Sequence, residues 1–548
     1  MKPRSAFFAT ILASLAPWLQ ASPLSETYRV AGVVVNSTTD EPVPKVRLIL
    51  RSPDNRTAPE FAVSSENGRF VFSAVPAGKF RLTATRRGFA SQSYGQSNLA
   101  DALGTAVVTG PGLDMQHLVF RLIPPAAISG RVTDDHGDPI PRGFVGLYRD
   151  GVLYGKRRVF ETQFTYTNDA GEYRFPGVGA GSYYVAAAGQ PWYVSNGPGI
   201  ELGAPNAGGS FAHLGCLPVF YPNTSDPNAA SPIVLRPGEE AAADLVLPTV
   251  PGANVTVDAG SSASLDFTSG AGVAQLSMEG VGGTRLYWPP SLDAGIPMFP
   301  GVPPGRYRLS VRKNQGSLPS LSGWQDIEVG SSDMEVKLAP GSLPSVSGRV
   351  VIDPPGSGSV RPYWISLRSE DSLFFYNHPI GPNGTFQLPP MPPERFRVYA
   401  GGSSALYNAG VTSDTAPVVN GVVDLRGGGD VQILVHVSAE AARLHGYALR
   451  GGKPVPGVFV VLAPRSDTHD PIDYRGFQTD ADGSYDFPGL RPGQYVLFAV
   501  QDGSEFEYAN PTVLRPFLAS GQRVDLAASA TKEINLTLPE PKPRTATR

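Results

Sequence analysis

The chain has 548 residues, far more than one small hydrophobic core can organise, so it divides into several domains. Glycine (62) and proline (54) are abundant while 41% of residues are hydrophobic, which excludes a disordered chain and points to many short strands joined by many turns. The formal net charge is −3 with no basic stripe, which excludes nucleic acid as a partner.

Residues 1–21 have the layout of a signal peptide: Lys2 and Arg4, an apolar run too short to favour a membrane span, and small residues around Ala21. The expected location is therefore exported: periplasmic, cell-surface or extracellular. Removal of the leader leaves 43 basic against 48 acidic side chains, a mild acidic balance. No later apolar run is long enough to span a bilayer in the mature chain. Cys216 is the single cysteine, so no internal disulfide forms and the fold must rest on its apolar cores. No long stretch carries apolar residues at helical spacing, so very little helix is expected.

From residue 24 onward one unit recurs five times, at 24–123, 124–247, 248–338, 339–438 and 439–540, and a disordered tail is expected at 541–548. Each unit carries a turn glycine: Gly68, Gly171, Gly295, Gly384 and Gly483. Twelve residues later stands an aromatic, Phe80, Tyr183, Tyr307, Phe396 or Tyr495, and two beyond that Leu82, Val185, Leu309, Val398 or Leu497. Fixed spacing in five places defines a repeat. The glycine lets the chain turn with positive φ, and the apolar residues then alternate as on a half-buried strand. A Pro-Gly or Ala-Gly pair follows in four units and predicts a type II turn, while the fourth carries Glu394 at that glycine. Upstream lie AGVVVN, SGRVTD, SGRVVI and HGYALR; downstream each unit closes on an alternating strand such as HLVFRL or INLTLP. The third unit lacks the Gly-Arg-Val opening. The expected fold is all-β, a tandem array of about five small antiparallel Ig-like or transthyretin-like sandwiches. The short Pro-containing links (IPPAAIS, LPTVPGA, APGSLPS) predict a semi-rigid rod.

The stretches SGRVTDDHGDPIPRGFVGLY…TNDAGEYRFPGVGAGSYYV and HGYALRGGKPVPGVFVVL…TDADGSYDFPGLRPGQYVLFAV resemble carboxypeptidase regulatory-like domains. The resemblance implies transthyretin-like sandwiches, grouped with carbohydrate-binding-like and collagen-adhesin B-type folds. The end of the fifth unit resembles multi-repeat exported proteins of acidobacteria. In zinc carboxypeptidases such a module is an accessory to a separate catalytic domain, and the family's functions are mixed.

Catalytic chemistry is not expected. None of the seven histidines has His-x-x-Glu or His-Glu-x-x-His spacing, and no Gly-x-Ser-x-Gly elbow occurs. No cofactor is expected, and no resident metal. A weak calcium alternative rests on Asp480 and Asp482 before Gly483, but Arg491 stands where an EF-hand loop needs its last Glu. A turn explains the same residues, because Asp and Asn bond locally to the backbone. An isopeptide crosslink of the adhesin type is not expected, since Lys45 lies in a turn and not on a first strand.

The longest departure from the repeat is the loop 189–231 of the second unit, where Trp192, Tyr193, Phe220, Tyr221, Asn223 and Asp226 occur among Gly and Pro. Aromatics with amides and carboxylates around them are the means of binding a sugar ring, so Trp192, Tyr193, Tyr221, Asn223 and Asp226 form the candidate ligand surface. The same residues could cap the sandwich. Trp288, Trp324 and Trp364 lie in or beside strands and are expected in cores. These features lead to an exported, non-enzymatic binding or scaffold protein with a polysaccharide ligand. The alternative is a structural or adhesive envelope module with a protein partner, and a less favoured one is an accessory part of a peptidase system.

Overall fold

The computed structural model describes residues 26–53, 57–100, 103–193, 214–258, 272–293, 296–315, 318–338, 343–355, 361–372, 374–465 and 470–540. The leader 1–21, the tail 541–548, residues 194–213 of the long loop, and Gly295 lie outside them. The fold is all-β: among the described residues, five pairs of small sheets each close over an apolar core, and a two-stranded sheet joins Leu214–Cys216 to Thr249–Pro251. One α-helix, Pro511–Ser520, is present among the described residues.

The repeat glycines behave as their positions require. Gly68, Gly171, Gly384 and Gly483 have φ of 70°, 75°, 77° and 78°, a region that strains any other residue. Each precedes a strand (Arg69–Pro76, Glu172–Val178, Thr385–Gln387, Ser484–Leu490) that runs antiparallel to the opening strand of its sandwich (Thr27–Asn36, Ala126–Asp134, Ser345–Asp353, Ala442–Arg450). The closing strand joins the other edge of the opening strand in parallel, as Met115–Leu122 does along Thr27–Asn36. The glycine within each opening strand serves this pairing. A Cβ on Gly130 would stand 2.2 Å from the Ala243 carbonyl oxygen, and one on Gly446 only 1.7 Å from that of Ile534.

The Pro-Gly element is not a type II turn. Gly78, Gly181 and Gly493 have φ of 149°, 152° and 159°, far from the +80° such a turn requires. The reason is topological. Arg69–Pro76 pairs within one sheet and Gly78–Thr85 within the facing one, so the chain turns a corner between layers and does not reverse in a hairpin. The recurring aromatic pins that corner. Tyr183 Oη donates to the Gly179 carbonyl (2.9 Å), Tyr307 Oη to that of Pro303 (2.9 Å) and Tyr495 Oη to that of Arg491 (2.7 Å), as in the tyrosine corner of immunoglobulin-type sandwiches. Phe80 and Phe396 fill the same place without the hydroxyl.

The predicted rod is not formed. Strand Phe144–Leu153 is buried on both faces, which marks a sheet covered on both sides. Val145 and Leu147 belong to the core of the second sandwich, while Phe144 and Tyr148 join that of the third with Leu276 and Trp288. In the fifth sandwich Phe459–Pro464 is likewise buried throughout; the helix Pro511–Ser520 covers its outer face through Leu514 and Phe517. The chain also closes on itself, because the turn of the fifth sandwich docks on the first: Ala481 N–H donates to the Ala106 carbonyl at 2.8 Å. Arg149, 2% exposed, ties three sandwiches, donating to the Ala100 carbonyl (2.9 Å) and to Glu505 Oε1 (2.5 Å). A rod would leave these polar and apolar faces in water; packing sandwich on sandwich removes them from it.

Of the tryptophans, Trp288 is in the core. Trp324 is half-buried beneath the Arg308 guanidinium, 4.5 Å from its ring, and Trp364 is exposed, contrary to expectation, because it faces outward from its strand.

Candidate functional site

The second sandwich presents the aromatic residues of the long loop at the end of strand Gly181–Ala188. Trp192 is 49% exposed, and its ring meets that of Tyr193 edge-on with centroids 5.6 Å apart. Tyr193 lies within hydrogen-bonding reach of Thr249, and its phenol is raised by partial burial, with Asp134 adding to the effect. Thr249 Oγ1 donates to Asp135 Oδ1 at 2.7 Å, and this bond holds the Asp135 carboxyl below its ordinary range. His136 Nδ1 stands 3.2 Å from the same oxygen. The result is an exposed indole against a phenol, and through Tyr193 a chain of hydroxyl, carboxylate and imidazole from Thr249, Asp135 and His136.

Asp134 sits beneath this surface. Its Oδ1 accepts from the backbone N–H groups of His136 (3.0 Å) and Asp138 (2.9 Å), which fixes the turn after strand Ala126–Asp134. Asp134, Asp135 and His136 each offer a ligand atom within 4.8 Å of the others, the one grouping among the described residues with the donor set for a cation. A search for His-x-x-Glu spacing passes over it; three adjacent residues on a tight turn were the available signal. Cys216 lies nearby, but burial pushes its thiol up to about 12, so it supplies no thiolate near neutral pH.

The other residues of the candidate surface are engaged in the turn that follows strand Val219–Phe220. Tyr221 packs against the core of the second sandwich. Asn223 adopts φ of 87°, and its Oδ1 accepts from Val246 N–H at 2.8 Å. Asp226 caps the short 3-10 helix Pro227–Ala229, accepting from Asn228 N–H at 2.9 Å. Their polar groups therefore organise the backbone.

The Asp-x-Asp-Gly turn has its own occupants. Asp480 is buried, with Lys79 Nζ of the first sandwich 2.5 Å from its Oδ2, and burial raises its carboxyl while Lys79 opposes the rise. Asp482 Oδ1 accepts from Ser484 N–H at 3.0 Å. An ammonium thus takes the position beside Asp480 where a cation would sit. Lys45, at φ 57°, lies in a turn and reaches Glu66 at 3.8 Å on the surface.

Comparison with known proteins places a carboxypeptidase regulatory-like domain at residues 29–109. No curated protein matches the chain. Among solved structures the chain is similar to the minor pilin GBS52 of Streptococcus agalactiae, at 12% identity and a TM-score of 0.20, over 41% of this chain and 97% of that one. It is also similar to the shaft pilin SpaA of Lactobacillus rhamnosus GG, at 7% identity and a TM-score of 0.19, over 41% of this chain and 98% of that one. At such scores these likenesses carry no functional argument. No helix among the described residues is long and apolar enough to cross a membrane.

Proposed function

We propose that this protein is an exported, non-enzymatic binding and scaffold module with its ranges 24–123, 124–247, 248–338, 339–438 and 439–540 as domains, and that it holds polysaccharide at the Trp192 surface. The observation that carries this reading is the exposed Trp192 ring braced by Tyr193 beside Asp135, His136 and Thr249. An aromatic platform with hydroxyl, carboxylate and imidazole at its rim offers stacking to a sugar ring and partners to its hydroxyls. Tyr221, Asn223 and Asp226 support that surface through the backbone they order.

Retention of the mature chain on insoluble polysaccharides tests the reading. Trp192→Ala should weaken retention about ten-fold, the loss of one stacking contact. Equal retention of the variant would reject the surface. A second reading, an adhesive module with a protein partner in the envelope, draws on the edge strand Glu60–Val63, whose Phe61 and Val63 are 56% and 65% exposed. An exposed apolar edge is a template for strand addition. Crosslinking in the envelope would then capture a protein through this strand, with no affinity for glycans.

A further inference from the structure

A cavity of about 270 Å³ lies where the second, third and fourth sandwiches meet, near the lower end of small-ligand pockets. Glu161 enters from the second sandwich and Ser372 and Phe374 from the fourth; the rest of the wall is the outer face of a sheet of the third. That face bears three arginines. Arg308 is neutralised by Asp326 (2.6 Å) and Glu394 (3.4 Å). Arg285 and Arg312 pair with no carboxylate among the described residues, although both line the cavity and neither is exposed. Glu161 lines the same cavity but forms no ion pair with either guanidinium, and Asp326, Glu394 and Glu279 act on Arg285 only at a distance, so an anion in the cavity would complete both partly buried groups.

Two buried polar atoms on the same wall lack a hydrogen-bond partner: the Arg312 Nε donor and the Gln275 Oε1 acceptor. Such atoms are rare in native folds. An anion alone would satisfy the donor and leave the acceptor empty. A molecule that carries a carboxylate and a hydroxyl can meet both, the carboxylate accepting from Arg312 Nε–H and the hydroxyl donating to Gln275 Oε1. Trp324 and Phe374 also line the cavity, with the Arg308 and Arg312 guanidinium groups 4.5 Å and 5.4 Å from their ring centroids.

We propose that this cavity binds a small hydroxylated carboxylate of the sugar-acid class, its carboxylate held by Arg285 and Arg312 and a hydroxyl donating to Gln275. The site is separate from the Trp192 surface and does not depend on polysaccharide binding there. Three sandwiches contribute to it, so occupancy also fixes their mutual packing and raises the melting temperature of the whole chain.

Calorimetric titration of the full chain with D-glucuronate, D-glucose, acetate and sulfate tests the assignment. Glucuronate should bind and raise the melting temperature, with glucose, acetate and sulfate at least ten-fold weaker. Arg312→Met and Gln275→Leu should each weaken glucuronate about ten-fold, with unchanged circular dichroism showing that each is folded, and Trp192→Ala should bind it as the parent does. Absence of glucuronate binding at millimolar concentration, sulfate bound as tightly as glucuronate, or parental affinity in Arg312→Met would each overturn the proposal. If Arg312→Met does not fold, Gln275→Leu decides the question on the same readout.

Discussion

Lys79 Nζ stands 2.5 Å from Asp480 Oδ2 and joins the first and last sandwiches across 401 positions of sequence. The carboxylate is almost wholly buried and the lysine is partly in water, so the acid depends on the ammonium more than the reverse.

Lys79→Met should therefore destabilise the chain on the order of 2 kcal/mol at neutral pH, by leaving a buried carboxylate unpaired. Burial already raises the Asp480 carboxyl above its unfolded value, and loss of Lys79 raises it further. A carboxyl raised on folding favours the folded state at acid pH, and that contribution fades as pH rises through its titration. The variant's deficit should thus be small near pH 4 and full near pH 7, as measured by urea denaturation. The same deficit at both values would show that the charge of the Asp480 carboxylate is not what the lysine stabilises.

Tyr495→Phe, Tyr183→Phe and Tyr307→Phe each remove one hydroxyl donor from a buried corner carbonyl. Each should lower the unfolding free energy by about 1 kcal/mol. Denaturation curves of the three variants that overlay the parent would show that the ring alone holds the corner.

Thr479 Oγ1 accepts from Val458 N–H and donates to the Val455 carbonyl, both at 2.9 Å. Thr167 in the second sandwich bridges Gly143 and Ile140, and Ser64 in the first bridges Val46 and Val43 in the same way. Thr479→Val keeps the shape and orphans both backbone groups, so a loss of about 1–3 kcal/mol is expected, with Thr479→Ser retaining most of the stability. Unfolding at the parent's denaturant midpoint would refute this.

These hydroxyls also show what the sequence made readable. Each lies four residues before a repeat glycine, a fixed spacing as visible as that of the aromatics, yet Ser and Thr carry no hydrophobic signal and draw no attention. The glycines and the apolar alternation were legible because every sandwich needs them for the same local reason. The corner was misread because a Pro-Gly pair states a local dihedral preference, whereas the facing sheets decide which turn is made. Trp192 and Tyr193 stood out by composition, but Asp135 and His136 come from a distant turn and Thr249 from a distant strand. Arg149, Lys79, Arg285 and Arg312 were beyond reach for a related reason: contacts between sandwiches occur once each and follow no period.

Glu161 lies opposite Tyr148 on the neighbouring strand, and burial pushes its carboxyl up to about 7. The cavity also holds the guanidinium groups of Arg285, Arg308 and Arg312, and the phenols of Tyr148 and Tyr287 lie near the carboxyl. Between its unfolded value and about 7 the folded state holds the extra proton, so the stability owed to this group declines as pH rises through that window. Glu161→Gln should flatten the dependence of melting temperature on pH between 5 and 8 and gain most at the alkaline end. A variant whose profile parallels the parent's would show that the carboxyl is better solvated than its burial implies.

In the fourth sandwich the opening strand Ser345–Asp353 lies parallel to the closing strand Asp430–Ser438 with no break in register from Ser345↔Asp430 to Asp353↔Ser438. Tension applied through the two links of such a sandwich pulls these strands lengthwise past each other. The ladder bonds run across that direction, so they are sheared together and cannot open one at a time like a zipper. Were the chain anchored at one end and gripped at the other, each sandwich would resist stretching by its strongest route.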